Sequence, residues 1–491
     1  MQPFKQKYWF GVIFFLWLSL LIISSSVRAT ASAPNSSTLS IIDSFMRSEM
    51  QALRVPGLAL GVVQGDRTTY LRGYGIADPS HRQVTPQTPF FINSLTKAVT
   101  AIAVMQLVEA GKLDLDVSVQ QYLPWFRTDD PQASAQITIR NLLYQTSGFS
   151  VTRGLETFFD GDFSDDALER NVRRLQDTTL ANPVGETFEY SNINYDILGL
   201  LVQTVSGQSY ENYVKERILV PLDMKQSFFS PELAPELAQG YIPFFGLTIP
   251  YNSPRSRSVR PAGGIISTVE DMTHLLIAYL NDGRYRNTAI LSPQRVAELY
   301  RPGVETPGDD GEAYAMGWYV TSSAASSEQS NSNALQAIYH PGGSAGFYSY
   351  MRLIPERDLG IVLLMNTQDV LLYSRNNQIG ERLEQLLLGQ VPSSPRTPLT
   401  WLIRPILLAI ALFQVIRVLR SVRRLRSWRS RVDRTLSKKI VRYSLFALAI
   451  DAVVFFVLFV VPSLQIEIPW MFLIHAVPDL SILLFLIALL T

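Results

Sequence analysis

Cysteine is absent from the 491 residues. No disulfide, thiolate nucleophile, iron–sulfur cluster or cysteine-based zinc site can therefore be built. Histidine is scarce as well. The four are His81, His274, His340 and His475, and no H-E-x-x-H pair occurs, which argues against a zinc hydrolase. No internal repeat is visible. Charged residues make up 17% of the chain against 47% hydrophobic. That balance excludes a disordered chain, and the length provides for several structural units around a large core.

The formal net charge is only +1, but it hides two opposites. Residues 34–398 sum to −10, and residues 417–442 sum to +10 with Asp433 as the one acidic residue. The basic block lies between apolar stretches at 399–419 and 443–461, and a third follows at 470–490. At about 1.5 Å per residue each is long enough to cross a hydrocarbon core of about 30 Å. A basic loop between two spans stays in the cytoplasm, which favours this reading over nucleic-acid binding. Asp451, His475 and Asp479 fall within or beside these spans. Three short helices read as an anchor in the lipid bilayer rather than a transport path.

At the other end, Lys5 and Lys7 precede an apolar run at 10–23, and small residues follow at Ala29, Ala31 and Ala33. This is the pattern of an export signal over residues 1–31, cleaved after Ala29 or Ala31, with an uncleaved anchor as the alternative. The expected organisation is a signal (1–31), an exported domain (34–391), a Pro- and Ser-rich linker (392–398) and a membrane region (399–491). The expected location is the cytoplasmic membrane of a bacterium, with the domain outside.

Within the domain, residues 40–53 show helical spacing. Two β-rich runs, 58–63 and 68–75, flank a Gly65-Asp66 turn. Residues 94–110 are apolar nearly all round, the mark of a buried helix, and Gly111 stands where a C-cap would fall. Residues 115–300 read as helices and loops, with Ser267 and Glu270 forming a capping box for a helix over 271–280. Strands are expected at 313–320, 348–354 and 360–365, and a last helix at 375–388. Strands and helices are segregated, which predicts an α+β fold with an antiparallel sheet and a helical subdomain.

One spacing carries chemistry. In Ser94-Leu-Thr-Lys97 the serine and lysine lie three residues apart at a helix start, so they share a face. A serine hydroxyl needs a base, and a buried lysine can become one because desolvation lowers its pKa. Tyr190-Ser-Asn192 follows about a hundred residues on, and His340-Pro-Gly-Gly343 comes after that, expected just before a strand. With Val55-Pro-Gly-Leu58, Asn141-Leu-Leu-Tyr-Gln-Thr-Ser-Gly148 and Pro261-Ala-Gly-Gly264, the chain over roughly residues 38–390 resembles the serine β-lactamase and penicillin-binding-protein family. The likeness is greatest to its class C β-lactamase-like branch.

The resemblance implies a β-lactamase/transpeptidase-like fold and the following roles. Ser94 is the acylated nucleophile, and Lys97 and Tyr190 share general-base and proton-shuttle work. Asn192 holds the substrate amide or Lys97. The N–H groups of Ser94 and Gly343 form the oxyanion hole, with His340 and Gly342 lining the substrate site. No metal or organic cofactor is implied. The implied partners are a D-amino-acid peptide or an ester, with peptidoglycan as a candidate source, and no nucleic acid.

Two departures matter. His340 replaces the usual lysine of the third motif, and Pro341 replaces a hydroxyl-bearing residue, so efficient β-lactam hydrolysis is not expected. Gly342-Gly-Ser344-Ala-Gly346 also fits a nucleophile elbow, but the one later histidine is His475. A non-catalytic peptidoglycan-binding or sensing protein on the same fold is the rival from another functional class.

Overall fold

The computed structural model describes residues 36–392 apart from 157, 159–160, 253, 308–310, 322–334 and 370–372, with scattered positions between 404 and 482. Helix α1 (Ser36–Leu53) leads into the hairpin β1 (Gly57–Gln64) and β2 (Arg67–Gly75), which turns at Gly65 with φ +59°. Helix α2 is Thr96–Glu109, α3 is Asn192–Ser206 and α4 is Val269–Leu280. Short strands β3 (Val304–Glu305), β4 (Glu312–Tyr314) and β5 (Tyr319–Thr321) precede β6 (Ala337–Ser344), β7 (Phe347–Ile354) and β8 (Leu359–Met365). Helix α5 (Tyr373–Leu387) closes the domain.

These strands form one antiparallel sheet in the order β2-β1-β8-β7-β6-β5-β4-β3. Strands β1 and β8 lie inside it and are almost wholly buried. Side chains alternate across a strand, so one sequence feeds two cores. Leu58, Leu60, Val62, Ile361 and Leu363 pack with Ile42 and Met46 of α1 and Ile379 and Leu383 of α5. Ala59, Val63, Val362 and Leu364 face the other way, into the large core shared with α2, α3 and α4. Each buried aliphatic side chain contributes about 1.5–3 kcal/mol, so burial on both faces fixes the register.

The segregated α+β reading and the buried helix of the sequence are both present. Four local expectations need correction. Residues 313–320 are two strands rather than one, because Gly317 (φ +81°) turns the chain between them and Trp318 is fully buried at the turn. The cap of α4 is Thr268, whose Oγ1 accepts from Asp271 N at 3.1 Å, because Ser267 is drawn into a short pairing with Phe90. Residues 241–250 form a hairpin (Tyr241–Phe244 with Leu247–Pro250) where only loop was expected. The His340 motif lies inside β6, not before a strand. Pro341 is tolerated there because the pairing of β6 with β5 ends at Tyr339, leaving that side open.

Among the described residues no helix is long and apolar enough to cross a membrane. The expected signal, nearly all of the linker and most of the three expected spans lie outside the described residues. Three positions of the expected membrane region, Arg404, His475 and Asp479, are described with their partners. Arg404 is buried and donates to Asp369 Oδ1 (2.9 Å), Asp479 Oδ2 (2.8 Å) and the Pro243 carbonyl (3.0 Å). Asp479 Oδ2 also accepts from Phe245 N at 3.0 Å, and Tyr251 meets His475 beside it.

Candidate active site

The turn that carries Ser94 is built from both ends of the domain. Phe90–Phe91 pairs with Ile266–Ser267, and Ile92 N donates to the Ile265 carbonyl at 3.0 Å. Asn93 then adopts φ +50°, a left-handed conformation that asparagine tolerates better than most residues. Its side chain is held on both ends. Asn93 Nδ2 donates to the Phe347 carbonyl (3.0 Å), and Oδ1 accepts from Arg255 (2.8 Å) and Ser344 Oγ (2.8 Å). Ser94 follows within one 3₁₀ turn, Asn93–Leu95, that runs into α2. It does not cap that helix, so its hydroxyl is presented to the cleft.

Lys97 sits one turn on and is fully buried. Its ammonium donates to Ser94 Oγ (3.2 Å), Asn192 Oδ1 (2.8 Å) and the Ala262 carbonyl (2.8 Å). All three protons are thus directed. The ring of Tyr190 lies 4.8 Å from Nζ and that of Tyr195 5.5 Å. Burial outweighs the more distant charge of Asp196 and pulls the Lys97 pKa down to about 7. Near neutral pH a large share is therefore the free amine, with a lone pair beside the serine hydroxyl.

Asn192 opens α3, and its Nδ2 donates to the Gly154 carbonyl at 3.2 Å, so it positions Lys97 as one of its two expected partners. His340 is buried, with Nδ1 2.7 Å from the Pro341 carbonyl and Nε2 3.3 Å from Tyr314 Oη. A carbonyl can only accept, so Nδ1 carries the proton and Nε2 accepts from the tyrosine. Burial first, and the Lys97 charge second, hold the His340 pKa at about 3. It is a neutral wall residue and supplies no cation.

Gly342 makes the closest approach of β6 to the nucleophile. A Cβ there would lie 2.3 Å from Ser349 Oγ, 2.8 Å from the Ile92 carbonyl and 3.0 Å from Ser94 N. Ser349 in turn donates to the Ile92 carbonyl at 2.6 Å, tying β7 to the turn. Ser94, Tyr190, Asn192, His340 and Gly343 all line one cleft of about 440 Å³. The sequence motifs are thus brought together. Ser344, the serine of the elbow pattern already set aside, lies within β6, buried, with its hydroxyl bonded to Asn93 and Arg255.

Sequence reasoning missed the supports. Arg255 is buried, stacks 3.7 Å from the centroid of Phe91, and donates to Asn93, to the Gly263 carbonyl (3.3 Å) and to Ser344 Oγ. Burial lowers its pKa to about 9. Its position six residues before Pro261-Ala-Gly-Gly264 was the one available signal. Among the described residues no cluster of three His, Asp or Glu is placed to hold a metal ion.

The chain is similar to several known proteins. The chain is 30% identical over 339 residues to Protein flp of Staphylococcus aureus strain MW2, a match covering 66% of this chain and 62% of that protein. The chain therefore spans about three-fifths of that relative's length. It is 32% identical over 325 residues to Penicillin-binding protein 4 of Amycolatopsis lactamdurans, covering 64% of this chain and 81% of that one. The octameric penicillin-binding protein homologue from Pyrococcus abyssi superposes with a TM-score of 0.61 and 27% identity, over 73% of this chain and 79% of that chain. EstCE1, a hydrolase with promiscuous acyltransferase activity, shares the fold at a TM-score of 0.58 and 23% identity, over 67% of this chain and 94% of its own. The family model described as Beta-lactamase matches residues 42–382, and the chain belongs to that family.

Proposed function

We propose that the chain is a serine hydrolase that works through a Ser94 acyl-enzyme, held outside the cytoplasmic membrane by residues 399–491. The observation that carries this reading is the Lys97 amine, buried without a contacting carboxylate and 3.2 Å from Ser94 Oγ. In its neutral form Lys97 takes the hydroxyl proton as Oγ attacks the substrate carbonyl. The oxyanion that forms is stabilised by the N–H groups of Ser94 and Gly343, each worth about 2.7–4 kcal/mol in the transition state. Tyr190, over the Lys97 ammonium, relays the proton to the leaving group. Water then attacks the acyl-enzyme by the reverse path.

Substrates in this reading are D-amino-acid peptides or carboxylic esters. A neutral His340 and a proline at 341 offer nothing to clamp a β-lactam carboxylate. The membrane anchor is supported by the charge asymmetry between residues 34–398 and 417–442. Labelling with a fluorophosphonate or a fluorescent penicillin tests the chemistry. Covalent label on wild type that disappears in Ser94→Ala is expected. No label, or label that survives Ser94→Ala, would favour the non-catalytic sensing protein.

A further inference from the structure

The cleft holds one acidic side chain that the proposed chemistry does not use. Glu312, on β4, lines the same cleft as Ser94 together with Tyr319 and Tyr339. Its carboxylate accepts from Thr306 Oγ1 at 2.7 Å and from the Tyr339 hydroxyl. Both donors are neutral hydroxyls. Among the described residues no Lys, Arg or His forms an ion pair with Glu312. The neighbouring stretches 308–310 and 322–334 contain no basic residue.

Other charges near the cleft are already committed. Lys97 is bound on its three protons. Arg255 lies beneath Asn93 and Ser344 and does not line the cleft. Arg352 packs over the ring of Tyr339, 5.4 Å from its centroid, and is paired with Glu384. His340 is held between Tyr314 and the Pro341 carbonyl. A half-buried carboxylate with hydroxyl partners but no counter-ion has lone pairs to spare. Its field falls on whatever occupies the cleft, where water is partly excluded and charge interactions are stronger than in bulk.

We infer that Glu312 forms a subsite for a cationic group, and that the preferred substrates are esters or amides carrying an ammonium near the scissile carbonyl. Tyr319 and Tyr339 line the cleft beside that subsite. A substrate carboxylate in the same place would meet repulsion and no compensating cation. This deepens the serine hydrolase reading and rests on it for the identity of the reaction, but the subsite can be measured by binding alone.

The test uses the full chain in detergent. Three 4-nitrophenyl esters of matched shape are compared: 4-(trimethylammonio)butyrate, its carbon isostere 5,5-dimethylhexanoate, and the glutarate monoester. Choline and its isostere 3,3-dimethylbutan-1-ol are compared as ligands by calorimetry. We expect kcat/KM to favour the cationic over the neutral ester by at least about fivefold, the worth of one partly exposed ion pair, and to disfavour the anionic one. Glu312→Gln should bring the cationic-to-neutral ratio, measured within that variant, to near one, and Glu312→Lys should reverse it. Choline should bind wild type more tightly than its isostere. Equal binding of choline and isostere overturns the subsite whether or not any ester reacts. Turnover without charge preference, or a preference that survives Glu312→Gln, overturns the subsite and leaves the hydrolase. Preferential choline binding with no turnover of any ester supports the subsite and overturns the hydrolase.

Discussion

Arg255 donates to Asn93 Oδ1 at 2.8 Å, so a buried guanidinium braces the residue that immediately precedes the nucleophile. Asn93 is left-handed at φ +50°, and the same arginine also holds Ser344 just beyond the proposed oxyanion hole. One side chain therefore sets the spacing between Ser94 and Gly343. Its long distance from both in the chain explains why no motif contains it.

Arg255→Met should lower kcat by about 10- to 100-fold, with KM changed much less, because a positioning loss appears in the transition state. Stability should change by less than about 2 kcal/mol, since the variant no longer buries a charge that lacks a contacting carboxylate. Steady-state kinetics and urea unfolding measure the two. A parallel collapse of fold and activity would show a purely structural role.

The acid limb of kcat/KM should have an apparent pKa near 7, the value to which burial lowers Lys97. Activity rises with pH through that value as the amine loses its proton. His340 is already neutral there, with a pKa of about 3, so the limb should persist in any active His340→Gln enzyme.

The same shift makes a stability prediction. Between about 7 and the ordinary lysine value near 10.5, the unfolded chain holds a proton that the folded chain has released. Stability of wild type should therefore rise with pH in that window, by about 2 kcal/mol from pH 7 to pH 9, and Lys97→Met should lack that rise. Thermal unfolding of both proteins across the range tests this. Parallel curves would mean that Lys97 titrates normally.

Gly342→Ala should abolish at least about 99% of activity, because its Cβ would fall 3.0 Å from Ser94 N and 2.8 Å from the Ile92 carbonyl. Adding Ser349→Ala removes the tightest clash, the one at 2.3 Å. The double variant should recover stability but not turnover, because both backbone clashes remain. Recovery of turnover would mean that β6 does not set the oxyanion geometry.

Arg404→Met removes the cation that Asp369 and Asp479 share, and breaking a buried ion pair typically costs about 3–5 kcal/mol. Trypsin should then cut at Arg396 at least about tenfold faster than in wild type, followed by gel mobility over time. An unchanged rate would show that the Arg404 contacts do not hold this segment to the domain.

The candidate site residues are legible because their pattern is written locally. Ser94 and Lys97 are three apart, Tyr190 and Asn192 two apart, and the all-round apolar character of 94–110 announced a buried helix. What was hidden depends on residues far apart in the chain. Nothing near Glu312 foretells that Tyr339 and Thr306 will neutralise no part of its charge. Ser349 looks like any strand serine until it reaches the Ile92 carbonyl. The hairpin at 241–250 is hidden in the sequence because Pro243 and Pro250 break the usual strand pattern. The division of 313–320 turned on one glycine.

Strand β1 lies beside β8, although almost the whole domain separates them in the chain. At synthesis rates of about 5–20 residues per second, β1 waits on the order of 15–60 seconds for its permanent neighbour. Throughout that interval β2 covers one edge, while the other edge stands open to wrong partners. The Gly342 approach to Ser94 also waits for this closure, since β6 and β7 arrive only shortly before β8. The nascent chain thus carries Ser94 without its Gly342 neighbour until the last three strands of the sheet are made, and a holding chaperone is most needed while it does.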